Sequence, residues 1–420
     1  MRVPDDIRKQ ATGDIASVLP ERADDLARLE ILLRHGEPIV TVIGKYNHGK
    51  SRLLNELIGQ NTFAVADRRE TVKLSDSVSQ GVRWLDAPGL DADVGTEDDR
   101  HAQHAAWLHS DIRLFVHAAK EGELDASELA LLAELRADGD RSKRQTLFVL
   151  SQVDQLADDA ELEKVRHAIG AQLPGIALRG VSSTRHRKGL EEGKKLLLEK
   201  SGMPLLRAAL DAALAEVPNA RAHETALLLG EVREELAQRL GEQEKSLHDL
   251  RRTQARQRLD FDQGLKRVID KVSGDIDAML NALGEDHASV PDSAKDAYAI
   301  TAGKRERAHI QMAYSRACIE IDALLAGHGV IGIPSEQETV ARALNSVMVA
   351  VMGVSVKFRK DLRRMFGTGP GRERMQREFT HYYELSNDRK ALASLIAKTE
   401  SVIVRFDVAS AALLALEGSA

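Results

Sequence analysis

The sequence predicts an α/β domain with a parallel sheet covered on both faces, followed by an all-α bundle domain. Three observations carry this. Between about residues 38 and 200, five short apolar runs, "PIVTVI", "VRWLDA", "IRLFVHAA", "TLFVLSQ" and "IALRGVSS", alternate with amphipathic stretches such as "SELALLAELRA", the rhythm of strands connected by helices. From residue 203 the strand-like runs fade, and Leu229, Val232, Leu236, Leu240, Leu247 and Leu250 recur at spacings of mostly three, four or seven, the stripe of an amphipathic helix. Charged residues make up 30% of the chain and aromatics only 4%, a balance suited to long helices rather than β-sandwiches.

Residues 1–36 read as one or two polar helices with Ile15, Val18, Leu19, Leu26, Leu29, Leu32 and Leu33 on their apolar side. Residues 37–202 carry the strand–helix alternation, and 203–420 form the helical domain. Pro218, Pro291, Pro334 and Pro370 are expected to break that last part into separate helices of a bundle. At 420 residues the chain exceeds one ordinary core.

The formal net charge of −6 argues against wholesale coating of nucleic acid. Cys318 is the one cysteine, so no intramolecular disulfide framework exists and a reducing compartment is expected. "MRVPDDIRKQ" lacks the apolar core of a signal peptide, and no apolar run reaches membrane-spanning length. The expected location is cytoplasmic.

"GKYNHGKS", residues 44–51, stands between "PIVTVI" and "RLLNELIGQ". Its glycines, lysine and serine follow the spacing of a phosphate-binding loop. Backbone N–H groups and a helix N-terminus surround an oxyanion, Lys50 reaches the terminal phosphates, and the Ser51 hydroxyl takes magnesium. Leu53, Leu54, Leu57 and Ile58 mark the buried face of the following helix, which Gly59 ends. One strand later, "WLDAPGLD" places Asp86 where a carboxylate holds magnesium through water, and Gly89 where a bare N–H approaches the γ-phosphate. "TLFVLSQVDQL" places Asp154 just past a strand, where its two oxygens accept the N1 and N2 protons of guanine. "GVSSTRHRKG" brings the backbone of Ser182 and Ser183 to the guanine O6. Taken singly, an aspartate there is a helix cap and a serine pair a turn.

In this order the motifs resemble the translation-factor-related class of P-loop GTPases, and within it the Era-like and bacterial dynamin-like groups. "GKYNHGKSRLLNELIGQ" is similar to the Era-like pattern G-x-P-N-x-G-K-S-x-L-x-N-x-L-x-G, and "DAPG" to the shared D-x-P-G. The resemblance spans roughly residues 38–200. It implies a mostly parallel six-stranded sheet, binding of GTP and GDP, and magnesium-dependent GTP hydrolysis. Carried over position by position, it assigns nucleotide binding to Gly44, Lys45, Tyr46, Asn47, His48, Gly49, Lys50, Ser51, Arg52, Gln152, Asp154, Ser182 and Ser183. Magnesium falls to Ser51, Thr71 and Asp86, and catalysis to Lys50, Thr71, Gly89 and Asn47.

The chain departs from that pattern in several places. Where the family reads [NT]-K-x-D, this sequence has Ser151, Gln152, Val153 and Asp154, so the lysine stem that lies along the base is missing. The first switch offers Thr71 followed by Val72 in place of a threonine pair, with Thr62 as the alternative, and Tyr46 replaces a frequent proline. After D-x-P-G, Leu90 stands where Ras-like proteins orient water with glutamine. Transition-state charge must then come from elsewhere. Asn47 matches the asparagine that seats potassium in some Era-like enzymes, or it shapes the loop by an Asx bond. Arg68 and Arg69 serve as arginine fingers across a dimer, or are merely solvated.

In the helical half, "SVMVAVMGVSV" (346–356) precedes "KFRKDLRRMF", where Lys357, Arg359, Lys360, Arg363 and Arg364 surround Phe358 and Phe366. Residues 346–366 are either a peripheral contact with anionic lipid or a buried bundle helix with a solvated basic end. The arginines of "RRTQARQR" read as an exposed helix face. The expectation is a dynamin-like GTPase with nucleotide-dependent homodimerisation or attachment to the inner face of the membrane. The alternatives are an Era-like GTPase acting on RNA, for which no RNA-binding module is recognisable, and a nucleotide-binding scaffold of low turnover.

Overall fold

The structure is a computed structural model that describes residues 4–34, 36–63, 75–86, 107–293, 298–333 and 346–418. Arg68, Arg69, Thr71, Val72, Gly89, Leu90 and Pro334 lie outside the described residues. The chain divides into two compact units, residues 1–238 with 405–420, and residues 239–404. The division thus falls past the 202/203 change of element type, and the last helical residues return to the first unit.

The first unit is built on six strands: β1 (Ile39–Ile43), β2 (Ser75–Ser79), β3 (Val82–Asp86), β4 (Ile112–Ala118), β5 (Gln145–Ser151) and β6 (Leu178–Gly180). Their spatial order is β2-β3-β1-β4-β5-β6. All neighbours are parallel except β2 and β3, which pair antiparallel. β1 and β4 are buried along their whole length, as strands with helices on both faces must be. The mostly parallel six-stranded sheet is therefore as expected. β2, "SDSVS", was not among the expected strands. It is a polar edge strand with an exposed valine, and an edge needs no apolar alternation.

On one face of the sheet, Val40, Val42, Leu114 and Val149 pack with α3 (Lys50–Ile58) and with Met203, Leu206, Leu210 and Val217 of a long helix. On the other, Ile43, Phe115, Phe148 and Leu150 meet α4 (Ala126–Ser142) and α5 (Asp159–Gln172). The unit also holds α1 (Asp5–Ala16) and α2 (Ala23–Leu33), with Ile15, Leu19, Leu26, Leu29, Leu32 and Leu33 buried as their apolar stripe requires. After β6 come α6 (Ser183–Glu191) and α7 (Lys195–Lys200).

α8 (Met203–Ala282) is one helix of 80 residues with Pro218 inside it. The expected break at Pro218 is corrected: the ring lies on an exposed side, where water can meet the carbonyl left without its donor. Leu229, Val232 and Leu236 are buried, while Leu240, Leu247 and Leu250 are half-buried.

In the second unit, Phe261, Leu265, Ile269, Val272, Ile276 and Leu280 of α8 pack with Ile310, Tyr314, Ile321 and Leu325 of α9 (Ala302–Gly327). α10 (Val347–Met352), α11 (Arg359–Leu362), α12 (Gly369–Glu384) and α13 (Asn387–Glu417) follow. The stretch considered for lipid contact supplies this core. Val347, Met348, Met352, Val356, Leu362 and Phe366 are buried, and Arg359 is 6% exposed, bound to Glu306 and to the Gly284 and Glu285 carbonyls. Of its large apolar side chains, Val354 and Phe358 are exposed.

Candidate nucleotide-binding site

The phosphate-loop residues sit where β1 ends and α3 begins. Gly44 packs so closely on β4 that a Cβ would lie 2.2 Å from the Val116 carbonyl oxygen. Gly49, the residue before α3, has φ +83°, a left-handed conformation that glycine adopts without strain. Asn47 is also left-handed, with φ 59°, and its side chain faces solvent. These conformations turn the loop around the N-terminus of α3, whose first amides have no partner within the helix.

Lys50 is 8% exposed. Its ammonium folds back over the loop and donates to the Gly44 and Lys45 carbonyl oxygens, both at 2.8 Å. Ser51 Oγ donates to Asp86 Oδ2 at 2.5 Å, so the end of β3 meets the first turn of α3. Burial pushes the Asp86 carboxyl above its ordinary value, against the Ser51 hydroxyl and the Lys50 ammonium. Asp86 Oδ1 is buried with no hydrogen-bond partner among the described residues. An acid oxygen left bare beside a serine hydroxyl fits a magnesium ion.

The altered base-recognition motif grips the loop. Ser151 Oγ donates to the His48 carbonyl at 2.6 Å. Gln152, left-handed at φ 57°, donates through Nε2 to the Asn47 carbonyl at 2.6 Å. Gln152 therefore lies against the loop. Asp154 is half-buried in a short 3-10 turn (Val153–Gln155), with no hydrogen bond or ion pair recorded among the described residues.

Ser182 is the N-cap of α6: its Oγ accepts from Arg185 N at 3.0 Å. Its own N–H donates to the Ser201 carbonyl at 2.8 Å. The Ser182 hydroxyl and N–H are thus both engaged within the protein, and Ser183 is the first residue of α6. Arg52 is exposed beyond Ser51, and Thr62 is exposed, its N–H held by Asn55 Oδ1 at 2.9 Å. Asn55, 2% exposed, also binds both backbone groups of Phe63. The sequence showed it as the asparagine of the Era-like pattern, without assigning it this role.

A second cluster lies beneath the loop and was not foreseen. Lys45 pairs with Asp125 and stands 3.6 Å from Glu128 Oε2. Glu128 closes a capping box with Asp125 at the start of α4 and meets His117 Nδ1 at 2.8 Å. The His48 and His117 rings are edge to face at 5.2 Å. Burial works against the Lys45 ammonium, but Asp125 and Glu128 outweigh it and hold its pKa up. Burial lowers the His48 pKa, favouring the neutral ring. Burial opposes the Glu128 carboxylate too, yet His117, the Asp125 amide and Lys45 keep its pKa down.

At the opposite end of the sheet, Arg28 of α2 is 2% exposed and pairs with Asp111 and with Glu224 of α8, each at 2.8 Å. Arg221 reaches Asp111 at 2.5 Å, and Arg144 joins Glu224 at 3.2 Å to Asp138 at 2.9 Å. Residue spacing gives no sign of this network, because its members come from four distant segments.

Residues 39–152 match the family described as 50S ribosome-binding GTPase. An uncharacterized protein of Acinetobacter baylyi is 50% identical over 394 residues, covering 94% of each chain. GTPase Der of Streptococcus mutans is 31% identical over 100 residues, so the chain spans only 22% of Der's length. Among solved structures, Era in complex with MgGDPNP and a segment of 16S ribosomal RNA is similar at 19% identity and a TM-score of 0.31, over 39% of this chain and 57% of that one. The chain belongs to one family with the Acinetobacter protein, and its N-terminal part carries a P-loop GTPase domain of the Era-like, translation-factor-related class.

Proposed function

We propose that the protein binds GTP with magnesium and hydrolyses it, and that nucleotide-dependent homodimerisation is its output. The observation that carries the reading is the meeting of Ser51 and Asp86 at 2.5 Å beside the buried Lys50. Lys50 would turn from the loop carbonyls to the β/γ-phosphates, and the amides at the start of α3 would take their oxygens. Ser51 and Asp86 would hold magnesium, which supplies Lewis-acid neutralisation of the phosphates when bound. Asp154 would accept from the guanine N1 and N2 protons, and Ser183 would donate to O6. Thr71, Gly89 and the potassium-seating Asn47 complete the proposed catalytic set.

The helical unit bears on the output. The arginines at 251, 256 and 258 pair with Glu400, Asp260 and Glu384, which offsets part of this basic face and disfavours RNA. Contact with anionic lipid would rest on Val354 and Phe358, with the Lys360 ammonium 5.7 Å from the Phe358 ring. The match of residues 39–152 to the family described as 50S ribosome-binding GTPase keeps action on RNA as the second reading. Phosphate release from GTP, with sedimentation of the chain in GDP and in a non-hydrolysable GTP analogue, tests the proposal. Turnover with a heavier species in the analogue supports it. A monomer in both nucleotides that gains mass on ribosomal RNA selects the second reading.

A further inference from the structure

The cluster beneath the phosphate loop holds more than an ion pair. His48, His117 and Glu128 are 3%, 1% and 1% exposed, and one ligand atom from each lies within 4.8 Å of the others. Each imidazole already has a nitrogen on a backbone carbonyl: His48 Nδ1 on Val116 O and His117 Nε2 on Gly122 O, both at 3.2 Å. A carbonyl partner of that kind fixes the tautomer and leaves the second nitrogen as a lone pair, the usual arrangement around metal-binding histidines. For His117 that second nitrogen is Nδ1, which faces Glu128 Oε1 at 2.8 Å. In a neutral ring two lone pairs would repel at that separation, so the positive charge between them is either a proton, making an imidazolium–carboxylate pair, or a metal ion. A proton would serve two groups, whereas a third donor group converges here.

We propose that His48, His117 and Glu128 form a site for a divalent transition ion of the zinc class, separate from the magnesium position at Ser51 and Asp86. Two imidazoles and one carboxylate make a three-ligand set that leaves a fourth position for water, and nitrogen donors select zinc or cobalt over magnesium. Glu128 Oε1 stands 2.8 Å from the ligand nitrogen of His117, closer than the edge of about 3.3 Å expected for ligands 2.0–2.1 Å from a tetrahedral ion, so the carboxylate would shift outward on taking up the ion. Lys45 and Asp125, partly exposed at the rim, give a way in. Because His48 belongs to the loop, the ion would tie the loop to β4 and α4.

The test is a Co2+ titration of the metal-stripped full chain in excess magnesium and GDP. One equivalent should bind, with the visible absorption of a four-coordinate cobalt site. The band should vanish in His117→Asn and Glu128→Gln and persist in Ser51→Ala. Absence of the band, or its loss only in Ser51→Ala, overturns the proposal. Since the buried variants may unfold, thermal melting of the wild type supplies a second reading. Zinc in excess magnesium should raise the midpoint progressively with concentration, and no shift overturns the site. A parallel titration without nucleotide separates failure here from failure of GTP binding.

Discussion

Ser51 and Asp86, 35 positions apart, meet through a hydrogen bond of 2.5 Å from the serine hydroxyl to Asp86 Oδ2. The contact joins the first turn of α3 to the end of β3, and leaves the other carboxylate oxygen buried and bare. Ser51→Ala should weaken GTP binding in magnesium by on the order of 10–100-fold, as loss of a metal-site partner does, and change it little in EDTA. Calorimetry in both buffers checks this; equal losses in both would remove magnesium from the site.

Gln152, at the position of the missing lysine, donates to the Asn47 carbonyl. Gln152→Ala should lower GTP affinity by roughly a factor of 5–10, the worth of about 1 kcal/mol for a hydrogen bond. Gln152→Lys should raise affinity above wild type, because the longer stem reaches the base and still carries a donor. Fluorescent-GTP titration distinguishes the three chains.

Hydrolysis should be several-fold faster in potassium than in sodium at equal ionic strength, and Asn47→Ala should abolish the difference. A cation near the β/γ bridging oxygen would supply charge that Leu90 does not. Equal rates in both salts would move attention to Arg68 and Arg69, whose action across a dimer requires a specific rate that rises with protein concentration.

Arg28→Ala leaves Asp111 with Arg221 and Glu224 with Arg144, so it should cost the first unit about 3 kcal/mol, the low end for a broken buried pair. Denaturant unfolding followed by a probe in that unit measures it. Burial opposes the Asp111 carboxylate, but Arg221 and Arg28 outweigh it and hold its pKa below the ordinary value. Its stabilisation is therefore complete above the ordinary carboxylate value and is lost as pH falls through the lowered one. Acid unfolding of the wild type should show that loss, and Arg28→Ala should reduce it, with Arg221 keeping the remainder.

The loop and the sheet centre were legible because burial on both faces demands apolar runs, and the phosphate loop demands glycines where Cβ atoms cannot fit, as at Gly44. β2 escaped because an edge strand carries no such demand. Pro218 misled because a proline on an exposed helix side costs one hydrogen bond rather than the helix. The two readings of 346–366 were not separable in the sequence, since a buried apolar run and an exposed one share a composition; packing with α8 and α9 buries most of its apolar side chains, as the bundle reading expects. The Arg28 network and the histidine cluster were invisible, each assembled from segments that only the fold brings together.

The GTP-binding claim stands or falls on Lys50. Calorimetric titration of GTP into the wild type and into Lys50→Ala, with magnesium present and both chains matched by circular dichroism, tests it most directly. The expected result is saturable binding by the wild type and a loss of at least ~100-fold in the variant, since a charge-assisted contact of about 3 kcal/mol disappears. Equal affinity in the two chains would contradict the phosphate-loop assignment.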